Sequence, residues 1–77
     1  MPTIIRQFGF DIRINTRDHT PAHVHCFKAG AELIVFLETL SIRENNGMSR
    51  VDVNQVLSLV AANQALLLAA WNRIRPS

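Results

Sequence analysis

His23-Val24-His25-Cys26-Phe27-Lys28-Ala29-Gly30-Ala31-Glu32-Leu33-Ile34-Val35-Phe36-Leu37-Glu38 decides the fold of this chain. From about His23 to Ala29, Val24 and Cys26 point one way while His23, His25 and Phe27 point the other, which is the two-residue period of a strand. Gly30 permits a tight turn. Glu32 to Glu38 then reads as a second strand whose centre is apolar on both faces. In a small antiparallel sheet such a strand is normally covered twice. One cover is expected from the chain's own helix and the other from a second subunit or a partner protein.

Toward the N-terminus, Phe8 to Asn15 alternates strictly, with Phe8, Phe10, Ile12 and Ile14 on one face and Gly9, Asp11, Arg13 and Asn15 on the other. A half-buried strand is expected there. Ile4-Ile5-Arg6 is a short strand or an extended lead-in to it. Asn15 to Pro21 is rich in turn formers, and Pro21 biases Thr20 toward an extended backbone, so the chain reverses between these strands.

Toward the C-terminus, Ser41-Ile42-Arg43 can add a short fourth strand, and Glu44-Asn45-Asn46-Gly47 reads as a loop or hairpin turn. Ser49-Arg50-Val51-Asp52 has the form of a capping box with Asp in place of the usual Glu or Gln. From there Val53, Val56, Leu57, Val60, Gln64, Leu67, Leu68 and Trp71 recur at helical spacing as far as Pro76. One helix of roughly 24 residues, about 36 Å long, is expected, with a break at Asn63 as the main alternative. Its apolar arc, which also takes in Leu59, Ala61, Ala62, Leu66, Ala69 and Ala70, is wider than one sheet contact requires. Arg73 and Arg75 complement the dipole at its C-terminus. The expected architecture is α+β: an antiparallel meander of three to four strands with one long C-terminal helix packed on one face.

Seventy-seven residues make one small domain, spanning 1–77. Cys26 is the only cysteine, so no disulfide staples it. A lone thiol behind a start, Met1-Pro2-Thr3, that does not read as a secretory leader leads us to expect a cytoplasmic protein. The longest apolar runs, Leu33–Leu37 and Ala65–Trp71, fall far short of the roughly 20 residues of a membrane-spanning helix. Charged residues are only 18% of the chain against 48% apolar, a balance poor in solvated surface for so small a monomer, which favours a homodimer or a bound partner through the apolar strand and helix. A net charge of +2 is too small to argue nucleic-acid binding by itself. Placement of the arginines matters more.

Side-chain chemistry concentrates in Asp18-His19-Thr20-Pro21-Ala22-His23-Val24-His25, which holds all three histidines directly after Arg17. With Met1-Pro2-Thr3-Ile4, Phe8-Gly9, Glu38-Thr39 and the closing Leu67-Leu68 and Trp71, this run resembles the small bacterial proteins grouped as domain of unknown function 4160. The resemblance covers nearly the whole chain and is most specific in the Asp-His-x-Pro-x-His-x-His run. It implies a small cytoplasmic module of the kind found in paired-gene, toxin–antitoxin-like units, with no established activity. Two positions depart from the pattern. Ala22 stands where the family usually has a second proline, and Leu40 where it has a glycine after the Glu-Thr pair, so a different hairpin is expected there, with Gly47 taking over the reversal.

The cluster suits a metal ion. His23 and His25 on one strand face can aim at one divalent transition metal such as zinc, with His19 or Asp18 as a third ligand and a position left for water. No Cys or Glu stands beside the cluster as an obvious fourth ligand or general base, Cys26 lying on the inward face. It equally suits a phosphate. Histidine exchanges protons near neutral pH, and Arg13 and Arg17 can hold negative charge, so Arg13, Arg17, Asp18, His19, His23 and His25 together form a candidate surface for binding or cleaving RNA. Turn and sheet chemistry alone accounts for the same residues if Asp18 caps the turn, Pro21 fixes it and the histidines merely occupy a sheet face. Cys26, inward with Val24, reads as core packing rather than a nucleophile.

The expectation is therefore a toxin–antitoxin-like module whose His and Arg surface binds RNA or another phosphate ligand. The competing expectations are a metal-binding protein or metal-dependent hydrolase using His19, His23 and His25, and a structural partner-binding protein. Whether the chain is an enzyme stays open.

Overall fold

The structure, a computed structural model, describes residues 3–15 and 19–74. Five strands run as an antiparallel meander in the order β1 (Thr3–Gln7), β2 (Phe10–Arg13), β3 (His23–Lys28), β4 (Ala31–Phe36) and β5 (Ile42–Asn46), followed by helices α1 (Arg50–Ala62) and α2 (Gln64–Ile74). The α+β class stands, while the count of strands rises from three or four to five and the single long helix becomes two.

Each difference has a local cause. Ile4-Ile5-Arg6 is a full edge strand paired to β2. Phe8, expected on the inward face of the strand, sits instead in the two-residue turn between the register partners Gln7 and Phe10, at φ 54° beside Gly9 at φ 81°, and is 61% exposed. Two successive positive φ values match the right-handed twist of a tight hairpin. Ala29 (φ 50°) and Gly30 (φ 85°) repeat the device between Lys28 and Ala31.

Leu40 has a left-handed backbone, φ 61°, at the position where the resemblance puts a glycine. Its amide donates to Phe36 O and the Phe36 amide to Ser41 O, so the reversal is made there and not at Gly47, which follows β5. Glu44, Asn45 and Asn46, expected as a loop, complete β5. Asn45 then organises the exit: its Oδ1 accepts from Met48 N and its Nδ2 donates to Met48 O.

Ser49 caps α1 as expected, accepting from Asp52 N, while the Asp52 carboxylate pairs with Lys28 Nζ at 3.1 Å. The break falls at Asn63, where the axes bend by 75°. The Asn63 side chain donates to Leu59 O, its own helix's last turn, which competes with helical continuation. Gln64 Nε2 then donates to Leu37 O at the end of β4, tying the start of α2 to the sheet. The wide apolar arc resolves into two stripes, Val53, Val56, Leu59 and Val60 on α1 and Leu67, Ala70 and Trp71 on α2. Arg73 lies in the last turn of α2, and Arg75 falls outside the described residues.

These stripes share one core with Phe10, Ile12, Ile14, Val24, Cys26, Leu33, Val35 and Leu37 from a single sheet face. Ile34, on the opposite face of β4, is only 9% exposed within the one chain. Among the described residues no single helix is long and apolar enough to cross a membrane.

Cys26 is fully buried in the core, and that burial, with the charge of Glu32 adding to it, pushes its thiol up to about 12. Thiolate is the reactive form. A disulfide reagent at neutral pH is therefore expected to label Cys26 only as fast as the protein unfolds, with full labelling in denaturant. Labelling of the native protein at the rate of a free thiol would contradict this packing.

Candidate functional site

The sheet face opposite Val24 and Cys26 carries the polar chemistry. Register places Arg13 opposite His25, and His23 opposite Phe36, so Arg13, His23 and His25 do share a face. Arg17 and Asp18 lie outside the described residues.

His25 stands in a chain of polar side chains. Its Nδ1 lies 2.8 Å from Glu32 Oε2 and its Nε2 lies 3.1 Å from Asn15 Nδ2. A carboxylate only accepts, so Nδ1 carries a proton, and Asn15 so oriented donates to Nε2. His25 is 9% exposed, and its ring stacks on Phe27 with 13° between planes. Glu32 is the carboxylate that spacing alone did not place beside the histidines. With a two-residue turn at Ala29-Gly30, Glu32 falls opposite Phe27, on the His25 face and diagonal to it. Counting register across that turn finds it.

Arg13 is committed to neighbours rather than to solvent. Its Nη2 donates to Asp11 Oδ2 at 2.9 Å, and its guanidinium lies 4.9 Å from the centre of the Phe27 ring. Arg6 completes the pair from β1, Nε to Asp11 Oδ1 at 2.8 Å. The Arg13 hydrogen bond, then the Arg6 one, hold the Asp11 carboxyl below its ordinary range. A depressed carboxylate contributes above its unfolded pKa, and the contribution is lost as pH falls through the folded value. Arg13 thus shares the single negative charge of Asp11 with Arg6, and the trio keeps a net charge of +1.

His23 is 3% exposed. Its Nδ1 donates to Pro21 O at 2.9 Å, and its ring meets those of Trp71 and His25 at 5.3 Å and Phe36 at 6.5 Å. Among the described residues no three His, Cys, Asp or Glu side chains gather to hold a metal ion. His19, His23 and His25 are therefore not brought together as the expected ligand set: His25 turns both nitrogens to Glu32 and Asn15, and His19 lies on the exposed turn.

His19 and His23 instead meet in a cleft of about 430 Å³ lined by His19, Thr20, Pro21, His23, Phe36 and Arg43. Arg43 is exposed on β5 and has no carboxylate partner among the described residues. Sequence spacing did not single it out. The β4–β5 register slips by one between Ile34 and Val35, so the neighbour of Phe36 on β5 cannot be counted from the turn. A larger groove of about 590 Å³, between Gln7-Phe8 and α1, has no charged side chain among the described residues that line it.

A family model described as a domain of unknown function (DUF4160) matches residues 9–72, a span that takes in the cleft, all three histidines, α1 and α2 as far as Asn72. Neither the curated proteins nor the solved structures contain a significant match to the chain.

Proposed function

Because the chain belongs to the DUF4160 family, whose description carries no activity, its function has to come from the site itself, and we propose that it binds RNA through the phosphate backbone at the His19–Arg43 cleft. The observation that carries this is Arg43, a guanidinium with no carboxylate partner among the described residues, in the same concave surface as His19 and His23. A planar guanidinium offers paired donors that match phosphate oxygens. Phe36 and Pro21 add apolar wall against which an unpaired base can lie. The role first assigned to Arg13 passes to Arg43, because Arg13 is held by Asp11 and Phe27 and does not line the cleft.

The metal-dependent alternative finds less support, since the histidines converge on a carboxylate, an amide and a carbonyl rather than on a common point. Association with a partner protein keeps four exposed large apolar side chains among the described residues, Phe8, Ile42, Val51 and Leu66, as its candidates.

Fluorescence anisotropy with a short labelled single-stranded RNA over a range of salt concentrations tests the proposal. Phosphate contacts release counterions, so log affinity should fall linearly with log salt, with a slope of about −0.7 for each phosphate held. Binding indifferent to salt, or none at low salt, would sink it.

A further inference from the structure

A second groove adjoins the cleft. It measures about 270 Å³ and is lined by Pro21, Ala22, Phe36, Glu38, Thr39 and Ser41. Pro21 and Phe36 line both cavities, so the two lie on either side of one ridge. The cavities differ in charge. Among the described residues lining them, Arg43 puts a fixed positive charge in the first, whereas Glu38 is the only charged residue of the second.

The residues of the second groove are held in place. Thr39 Oγ1 and Ser41 Oγ are 2.6 Å apart and occupied with each other, and the backbone of the turn is closed by Leu40 N to Phe36 O. The Glu38 carbonyl accepts from Gln64 Nε2, which fixes the backbone on which the carboxylate sits. The carboxylate itself has no partner among the described residues and is exposed. It is an acceptor-only group beside an aromatic wall.

Resting on the phosphate-binding reading of the first cleft, we propose that this groove receives a guanine base, so that the unit recognised is a guanine nucleotide. A phosphate on Arg43 and a base against Phe36 place one negative group and one flat apolar group on the two sides of the ridge. The carboxylate at Glu38 repels a phosphate and selects a base edge that donates. Guanine presents its N1–H and N2–H side by side, matching the two oxygens of a carboxylate. Adenine, cytosine and uracil each present one donor there, flanked by an acceptor that a carboxylate repels. Unstacked RNA bases are read in this way, by an aromatic face and a hydrogen-bonded Watson–Crick edge.

Calorimetric titration of the full chain with the 5′-monophosphates of guanosine, adenosine, cytidine and uridine, and with inorganic phosphate, tests this. Guanosine monophosphate is expected to bind at least about tenfold more tightly than the others, the scale of one bidentate base contact. Glu38→Gln should abolish that preference without weakening inorganic phosphate, and Arg43→Ala should weaken all four nucleotides alike. If the four nucleotides bind equally and Glu38→Gln changes nothing, the base groove is wrong while the phosphate cleft stands. If neither the nucleotides nor phosphate bind, both are wrong.

Discussion

Leu67→Ala is expected to lower the stability of the folded chain by about 2–5 kcal/mol, the cost of deleting a buried leucine and leaving its space partly unfilled. Leu67 is fully buried and lies on α2, beyond the 75° bend. Net stability of a small domain is itself only roughly 3–5 kcal/mol without a staple, so the variant should be largely unfolded or close to it at room temperature. Its neighbour Leu66 is 52% exposed, and Leu66→Ala should stay within about 0.5 kcal/mol of the parent. Urea unfolding followed by circular dichroism reads both. Equal, small effects would mean that α2 is not docked on the core and that the second helix is an appendage.

The contrast between these adjacent leucines shows what a periodic sequence makes legible. The apolar stripe from Val53 to Trp71 identifies the helical segment and its buried face, because burial demands the 3.6-residue period whether or not the axis is straight. The bend at Asn63 is less legible. It depends on one side chain choosing Leu59 O and the next, Gln64, choosing Leu37 O, and the second of these is a tertiary contact 27 residues away.

The same division runs through the sheet. Alternation in β3 and β4 is dictated by one face being core, so Val24, Cys26, Leu33 and Val35 could be assigned inward. Phe8 kept the alternating phase and still belongs to a turn, because the hairpin twist demands positive φ at two consecutive positions and Phe8 supplies the first. At the site, His23 and His25 on one strand face were readable from their spacing. The residues around them were harder to place: Glu32, the partner of His25, needs the hairpin register, and Arg43, which shares the cleft with His23, lies past an irregularity in the β4–β5 pairing.

Arg43 is where function is most exposed to test. Arg43→Ala is expected to weaken binding of single-stranded RNA by about tenfold or more, since a hydrogen bond to a charged group contributes about 1.5–3 kcal/mol. It should also make the salt slope shallower by about 0.7, the share of one phosphate on a single strand. Because Arg43 is exposed and packs into no core, its removal should leave thermal unfolding unchanged. Arg13→Ala provides the opposite pattern. It breaks the Asp11 pair and uncovers Phe27, so it should disturb stability while affecting RNA affinity little. If Arg13→Ala abolished binding and Arg43→Ala did not, the phosphate would have to sit on the Asp11–Arg13–His25 face rather than in the cleft.

The most direct test of the central claim is an NMR titration of the histidine ring resonances with a short single-stranded RNA at low salt. His19 and His23 line the cleft, whereas His25 is engaged with Glu32 and Asn15. The account predicts that the His19 and His23 signals move with added RNA, that the His25 signals stay nearly still, and that Arg43→Ala suppresses the movement. Shifts at His25 alone, or none at any histidine while RNA is demonstrably bound, would contradict it.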